Sequence, residues 1–174
     1  MLKTLHQIGR IGIVTEPWPD ADGDLRLRTE LQQQILGVLG RALCIRAVDA
    51  GSCNACELEI HALNNPLYNL EGLGIRFVAS PRHADMLLVT GPVSRNMEVA
   101  LKRTWEAMPA PKLVVALGDC GCTGGVFGES GASLGRVSNV IPVDVAVPGC
   151  PPAPTRILQG ILTAISAPAK LAQP

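Results

Sequence analysis

The sequence predicts an α/β domain in which a parallel sheet is covered by helices on both faces. From residue 43 onward, short runs that are apolar throughout alternate with longer segments of helical character. Strands without an apolar–polar alternation are typical of strands buried on both sides, and the intervening helices supply the cover. At 174 residues the chain is long enough to bury such a core without disulfides or a structural metal.

The predicted elements follow one another in a regular order. The run "LCIRAV" is the first strand, and a helix follows it from near Cys56. The run "GIRFVA" is the second strand and precedes the helical segment "SRNMEVALKRTWEAM". Two further strands, "KLVVALG" and "VDVAV", lead to a last helix in "PTRILQGILTAIS". We therefore expect a flavodoxin-like parallel sheet flanked by helices over residues 43–168, with a short tail over residues 169–174.

Residues 1–42 differ in character from the rest and are predicted to form an N-terminal extension. A break rich in proline and aspartate, "EPWPDADGD", precedes an amphipathic helix. Spacings of four, three and one would place its apolar side chains on one side: Leu31, Ile35, Val38 and Leu39. This stripe either docks a partner or a membrane surface, or packs on the chain's own domain. We interpret residues 1–42 as a partner-docking extension.

Composition excludes two classes of function. The formal net charge is zero and only 17% of the residues are charged, so the basic footprint of a nucleic-acid-binding protein is missing. The apolar runs are far shorter than the roughly 20 residues that span a bilayer. An apolar fraction of 47% with zero net charge instead indicates a subunit that buries surface against partners.

The N-terminal sequence predicts a cytoplasmic protein. The segment "MLKTLHQIGRIGIVTEPWPD" has neither a continuous apolar region before a small-residue cleavage site nor a twin-arginine pair. Cysteines are normally kept reduced in the cytoplasm. For the six cysteines of this chain, thiolate ligands are therefore favoured over disulfides.

Cysteines follow three of the predicted strands at the point where each strand ends. The first strand runs into Cys53 and Cys56, "KLVVALG" runs into Cys120 and Cys122, and "VDVAV" runs into Cys150. The carboxyl ends of parallel strands meet at one edge of the sheet, where ligands collect. Four thiolates are therefore expected at this edge, with Cys120 and Cys122 competing for one position.

Four thiolates at one edge suit either zinc or a [4Fe–4S] cluster. Structural zinc sites usually take two close pairs, whereas here one C-x-x-C pair is joined by two distant single ligands, which favours the cluster. Glycines near the cysteines would let backbone N–H groups approach an anionic cluster: Gly51, Gly118, Gly121, Gly124, Gly125 and Gly149. Two alternatives stay open, a four-cysteine zinc scaffold without a redox role and a thioredoxin-like pair formed by Cys53 and Cys56.

Other polar residues near these motifs have a structural and a functional interpretation. Arg82 and His83 either lie near the cysteines and offset negative charge, or belong to a turn. Glu57 either relays protons or caps the start of the helix. Cys44 lies inside an apolar strand and is interpreted as a core residue.

Four longer motifs occur in order between residues 44 and 166. They are "GSCNACELEI", "SPRHADMLLVTGPVSRNM", "PKLVVALGDCG" followed by "GG", and "IPVDVAVPGCPPAPTRILQGI". Together they resemble the family that comprises the 20 kDa subunit of complex I and the small subunits of membrane-bound, energy-converting nickel–iron hydrogenases. The complex I branch has two adjacent cysteines in the first motif, and the hydrogenase branch has C-x-x-C. The chain is therefore most similar to the small subunit of hydrogenases of the formate hydrogenlyase type.

The resemblance implies one [4Fe–4S] cluster held by Cys53, Cys56, Cys120 and Cys150, because the family pattern aligns its third ligand with Cys120. Cys122 is a departure from that pattern. The implied role is electron transfer within an oxidoreductase complex, with no catalytic residue on this chain and no activity when it is alone.

The resemblance also implies partners and a location. The partners would be a nickel–iron or quinone-site large subunit, a ferredoxin-like iron–sulfur subunit and integral membrane subunits. The location would be peripheral, on the cytoplasmic face of the cell membrane. The alternative function is that of the 20 kDa-type subunit of a complex I-like quinone oxidoreductase, which carries the terminal [4Fe–4S] cluster.

Overall fold

The computed structural model describes residues 21–166 together with His6 and Gly9. Five strands form one sheet in which every neighbouring pair is parallel, in the order β2-β1-β3-β4-β5. This is the strand order of flavodoxin-like folds, so the predicted fold class is confirmed. The strands are β1 Leu43–Asp49, β2 Ile75–Phe77, β3 Met86–Thr90, β4 Leu113–Leu117 and β5 Val145–Val147.

Helices cover both faces of the sheet, as the apolar strands predict. One buried cluster joins alternate side chains of the strands, such as Leu88 and Val115, to the first and last helices, and a second joins Leu87 and Val114 to the helix that carries Leu101. Short 3₁₀ turns lie at Glu71–Leu73, Pro81–His83 and Val137–Asn139. The helices are α1 Ala21–Leu39, α2 Ala55–Ala62, α3 Glu98–Glu106, α4 Gly118–Thr123 and α5 Pro154–Ser166.

Strand β3 is missing from the order of elements that the sequence predicts. All five of its residues are buried, and it pairs with β1 on one side and β4 on the other. Its run "MLLVT" is nearly as apolar as the run of β4, which the sequence does predict as a strand, so the same signal was available for β3. The predicted helix over "SRNMEVALKRTWEAM" is also shorter in the structure, since α3 begins only at Glu98.

Helix α1 packs on the domain itself. Its side chains Leu31 and Ile35 are fully buried and belong to the same cluster as α5. Val38 departs from the predicted stripe, because 43% of its surface is exposed. Leu36 is 59% exposed, so apolar surface remains free on α1. A partner-docking role for residues 1–42 stays a prediction, and most of residues 1–20 and the tail over 169–174 lie outside the described residues.

Membrane crossing can be judged only for the part of the chain that is described. There, none of the helices combines the length and the apolar character that a bilayer span requires.

Candidate metal centre

The loop that carries Cys53 is shaped by the end of strand β1. The Asp49 carboxylate accepts hydrogen bonds from the N–H groups of Gly51 (2.8 Å) and Ser52 (2.7 Å). Partial burial alone would raise the pKa of Asp49, but these N–H donors outweigh burial and lower it. The chain then turns through Asn54, which has a positive φ of 72°, into the first turn of α2, where Cys56 lies.

The loops that carry Cys120 and Cys150 are joined to each other by two hydrogen bonds. The Asp119 N–H donates to the Gly149 carbonyl (2.8 Å), and the Gly149 N–H donates to the Asp119 carboxylate (2.8 Å). Asp119 directly precedes Cys120, and Gly149 directly precedes Cys150. The distance between the two cysteines is therefore fixed by one backbone–backbone bond and one bond from the backbone to the Asp119 side chain.

Two glycines allow the backbone to approach the thiols closely. A Cβ on Gly118 would lie 2.7 Å from the sulfur of Cys56, and a Cβ on Gly125 would lie 2.7 Å from the sulfur of Cys120. Both glycines also have positive φ values, 81° and 54°, that other residues rarely adopt. The other four glycines have no thiol among the nearest atoms around them: Gly51, Gly121, Gly124 and Gly149.

The structure brings four of the predicted cysteines together around one cavity at the carboxyl edge of the sheet. Cys56 and Cys120 are half-buried, whereas Cys53 and Cys150 are exposed at its rim. The four sulfur-bearing residues of this cavity are Cys53, Cys56, Cys120 and Cys150. Its remaining wall comes from small residues and one acid: Ser52, Ala55, Gly91, Asp119, Gly149 and Pro151.

The electrostatics of the site show that the four thiols influence one another. Burial, then the charge of Glu57, then the three other thiols raise the pKa of Cys56 to about 12. Burial, then Cys150, Cys53 and Asp119, also raise the pKa of Cys120. Four thiolates at these positions would repel each other, so ionising all of them requires a cationic centre between them.

The donor set and the cradle fit a metal group bound by soft ligands. Thiolates select zinc or iron–sulfur clusters over hard cations. A single zinc ion needs every sulfur at about 2.3 Å. Among residues 6, 9 and 21–166, no group of three or more His, Cys, Asp or Glu side chains is placed to hold a single metal ion.

The two remaining cysteines do not line the cavity. The Cys122 thiol points back to the sheet and donates to the Ala116 carbonyl at 3.6 Å, and burial raises its pKa to about 11. Cys44 is buried in β1, where its sulfur accepts a hydrogen bond from the Arg76 guanidinium at 3.4 Å. Both placements agree with a structural interpretation of these residues.

Arg82 and His83 belong to a turn, not to the cysteine cavity. They lie in the 3₁₀ turn Pro81–His83 and line a different recess, together with Arg41 and Arg76. The Ser80 hydroxyl accepts the Arg82 N–H and starts this turn. The structure thus favours the turn interpretation over charge compensation at the cysteines.

Glu57 is anchored to the neighbouring strand. The Thr90 hydroxyl at the end of β3 donates a hydrogen bond to one of its carboxylate oxygens, while the other oxygen is buried without a partner in the described structure. Thr90 itself is buried. This contact ties the start of α2 to β3. Glu57 also lies in the first turn of α2, where a negative charge is favourable, and its roles at the helix start and in proton relay stay predictions.

Sequence reasoning missed two residues of the site. Gly91 lines the cavity because β3 ends just before it, and it was overlooked together with that strand. Asp119 bridges the loops of Cys120 and Cys150, a role that the sequence analysis does not predict. The available signal for Asp119 was its position, since an acid that directly precedes a candidate ligand at a strand end can hold the ligand loop in place.

Comparison with known proteins agrees with this geometry. Residues 53–164 match the family described as the 20 kDa subunit of NADH ubiquinone oxidoreductase. The match begins at Cys53 and includes all four cysteines of the cavity.

Several curated proteins are similar over most of the chain. The probable membrane-bound hydrogenase subunit mbhJ of Pyrococcus furiosus is 45% identical over 79% of this chain and 83% of its own length. Formate hydrogenlyase subunit 7 of Escherichia coli is 42% identical over 78% of this chain, which spans 53% of that relative. One subunit of the NADH-quinone oxidoreductase of Desulfovibrio desulfuricans is 42% identical over 71% of this chain and 66% of its own length.

A solved structure shares the architecture. A chain of the membrane-bound sulfane sulfur reductase, an archaeal respiratory membrane complex, superimposes with a TM-score of 0.64 at 28% identity. The match covers 83% of this chain and 78% of the other. The fold is therefore shared with a chain of that respiratory membrane complex.

Proposed function

The chain belongs to the family of the 20 kDa subunit of NADH ubiquinone oxidoreductase, and on that premise we propose that it is the electron-transfer small subunit of a membrane-associated nickel–iron hydrogenase. The observation that carries the proposal is the single cavity lined by four cysteines from three strand ends. In this proposal Cys53, Cys56, Cys120 and Cys150 hold one [4Fe–4S] cluster. When bound, such a cluster takes up and releases one electron at a time.

Two features support a cluster over a zinc ion. One C-x-x-C pair is joined by two distant single ligands, whereas structural zinc sites usually take two close pairs. In addition, Gly118 and Gly125 leave the backbone in contact with thiols on two sides, where N–H groups could serve an anionic group. Free thiols with raised pKa values would release protons as the metal group binds.

The residues of this chain have distinct tasks in the proposal. The half-buried Cys56 and Cys120 form the floor of the cavity. The hydrogen bonds between Asp119 and Gly149 fix the distance between Cys120 and Cys150 at the rim. Cys53 and Cys150 are exposed, so a second polypeptide has to cover the rim and exclude water. We assign that place to the large subunit, because electrons must enter or leave where the site opens.

Hydrogen chemistry itself is assigned to the partner. Hydrogenase large subunits hold nickel and iron with two C-x-x-C pairs, whereas this chain has one such pair. The isolated chain is therefore expected to be inactive. Further proposed partners are a ferredoxin-like iron–sulfur subunit and integral membrane subunits, with this chain bound peripherally on the cytoplasmic face.

A second function is supported by the 42% identity to a subunit of an NADH-quinone oxidoreductase. In that case the same site would pass electrons to a quinone pocket shared with the large subunit. The C-x-x-C spacing of Cys53 and Cys56 favours the hydrogenase, since the resemblance assigns adjacent cysteines to the quinone branch.

The test uses the complex purified anaerobically with its natural partners. Under hydrogen, the complex is expected to reduce a viologen dye, and the signal of this chain's cluster should appear in the EPR spectrum of the reduced complex. Quinone reduction without hydrogen oxidation, and a large subunit without intact C-x-x-C pairs near its two ends, would move the assignment to the quinone enzyme.

A further inference from the structure

A second recess lies at the edge of the sheet opposite to the cysteines. It forms where strands β1, β3 and β4 begin, and it has two adjoining parts that share Arg41, Asp85 and Pro109. We call the first part the apolar slot. It extends to Leu39, Leu43, Ala110, Pro111, Leu113 and Ile165. The part that extends to Cys44, Arg76, Arg82 and His83 is the basic recess.

The basic recess holds more positive charge than the structure neutralises. Asp85, which is only 9% exposed, accepts two hydrogen bonds from Arg41 at 3.0 and 2.5 Å and one from the Cys44 N–H at 3.0 Å. The carboxylate is thus fully engaged. Within the described residues, neither Arg76 nor Arg82 forms an ion pair.

This concentration of charge does not reflect a basic protein. The formal net charge of the chain is zero, so a non-specific attraction for polyanions is not expected. Two exposed guanidinium groups and His83 around one recess therefore select an anionic ligand locally. Guanidinium groups bind carboxylates with two parallel hydrogen bonds, which adds direction to the attraction.

The apolar slot limits what the ligand can be. Its volume is about 160 Å³, close to the roughly 150 Å³ that accommodates a benzene ring in an apolar protein cavity. One aromatic or large aliphatic side chain fills such a space. A lipid acyl chain is several times longer than the slot, so the slot does not suit a membrane lipid.

We propose that the two parts together dock an acidic segment of a neighbouring subunit that inserts one large apolar side chain into the slot. Carboxylates of the segment would lie on Arg76 and Arg82, and the anchor would lie between α1 and α5. Because this edge is opposite to the cysteines, the segment would bind without competing for the cavity that we assign to electron transfer.

The proposal is tested with the intact chain and a fluorescent pentapeptide, DEFED, by anisotropy. Binding is expected to weaken roughly tenfold or more in Arg76→Glu and in Arg82→Glu, because repulsion replaces attraction. Both residues are exposed, so both variants are expected to fold. An unchanged melting temperature checks this. Arg103→Glu, an exposed arginine of α3 outside the recess, is the matched control and should change binding less than about twofold.

Two further peptides test the two parts of the recess separately. DEAED, which lacks the anchor, and KKFKK, which lacks the acids, should each bind at least roughly tenfold more weakly than DEFED. Equal binding of DEFED and DEAED, or an equal loss in Arg103→Glu, would overturn the proposal. The proposal would also be overturned if DEFED does not bind and Arg76 and Arg82 instead mediate another interaction. That interaction would be binding to vesicles of phosphatidylglycerol and phosphatidylcholine, or self-association of the chain. None of these readouts involves the four cysteines of the cavity.

Discussion

The two edges of the sheet are built by different means. At the carboxyl edge, four thiols are positioned by short loops that hydrogen-bond to one another, as between Asp119 and Gly149. At the amino edge, Arg41, Arg76 and Arg82 reach over the surface on long side chains, and only Arg41 is fixed by an ion pair. The first edge is suited to hold a rigid group at fixed distances, whereas the second is suited to a partner that adapts on binding.

The largest effect is expected from the thiols of the cavity. Replacing Cys53, Cys56, Cys120 or Cys150 by alanine one at a time should remove most of the bound iron, because each removes one of four ligands. Iron and sulfide are measured after anaerobic purification. Cys122→Ala and Cys44→Ala are the controls and should retain the iron, since neither residue lines the cavity. Loss of iron in Cys122→Ala with retention in Cys120→Ala would refute the ligand assignment.

The glycines of the cradle should give the next largest effect. Gly118→Ala combines a forbidden approach to the Cys56 sulfur with a positive φ of 81°, and should cost about 1–3 kcal/mol of folding free energy and lower iron occupancy.

Two other glycines separate these causes. Gly128 has a positive φ of 54° but open space around it, so Gly128→Ala should show only the backbone strain. Gly131 has open space and no such φ, so Gly131→Ala should be nearly neutral. Urea denaturation under anaerobic conditions measures the free energy of unfolding of all three variants. An equal loss of stability in Gly118→Ala and Gly128→Ala would show that the contact with sulfur is unimportant.

A change at the amino edge should alter stability without touching the metal site. Asp85→Ala leaves the Cys44 N–H and the Arg41 guanidinium without their acceptor, which should cost about 1–3 kcal/mol. Glu98→Ala breaks an exposed pair with Lys102 and should cost less than about 0.5 kcal/mol. Iron content should be unchanged in both variants. A fall of iron in Asp85→Ala would show that the two edges are coupled.

The smallest effect is expected from the bridge between two site loops. Asp119→Ala removes the acceptor of the Gly149 N–H, whereas Asp119→Asn keeps an oxygen at that position. The alanine variant should lose about 1 kcal/mol of stability and release iron to a chelator faster, because the loop of Cys150 is loosened. The asparagine variant should behave much like the parent. Identical release rates for all three proteins would contradict a positioning role for Asp119.

The carboxyl edge could be predicted from the sequence because its chemistry follows the chain. Three of the predicted strands end two to five residues before a cysteine, and the geometry of parallel sheets brings strand ends together. The structure accordingly gathers Cys53, Cys56 and Cys150 around one cavity.

The choice between Cys120 and Cys122 could not be made from the residues alone. Two positions apart on a helix are about 200° apart around its axis, so only one of the two can face the cavity. The glycine-rich run "GDCGCT" gave no helical pattern, and yet it forms α4. The family pattern selected Cys120, and the structure places Cys122 against Ala116.

The amino edge was not predicted at all, for a related reason. Arg41, Arg76 and Arg82 come from three separate segments and share no motif, so only the folded chain shows that they line one recess. Strand β3 was missed although its run is nearly as apolar as that of β4, and Gly91 was missed with it.

The most direct measurement of the central claim is the metal content and EPR spectrum of the chain purified without oxygen. The account predicts about four iron and four sulfide ions per chain, a brown colour, and an EPR signal that appears on reduction with dithionite. A colourless, EPR-silent protein with one bound zinc ion would contradict it, and the four cysteines would then form a structural site without a role in electron transfer.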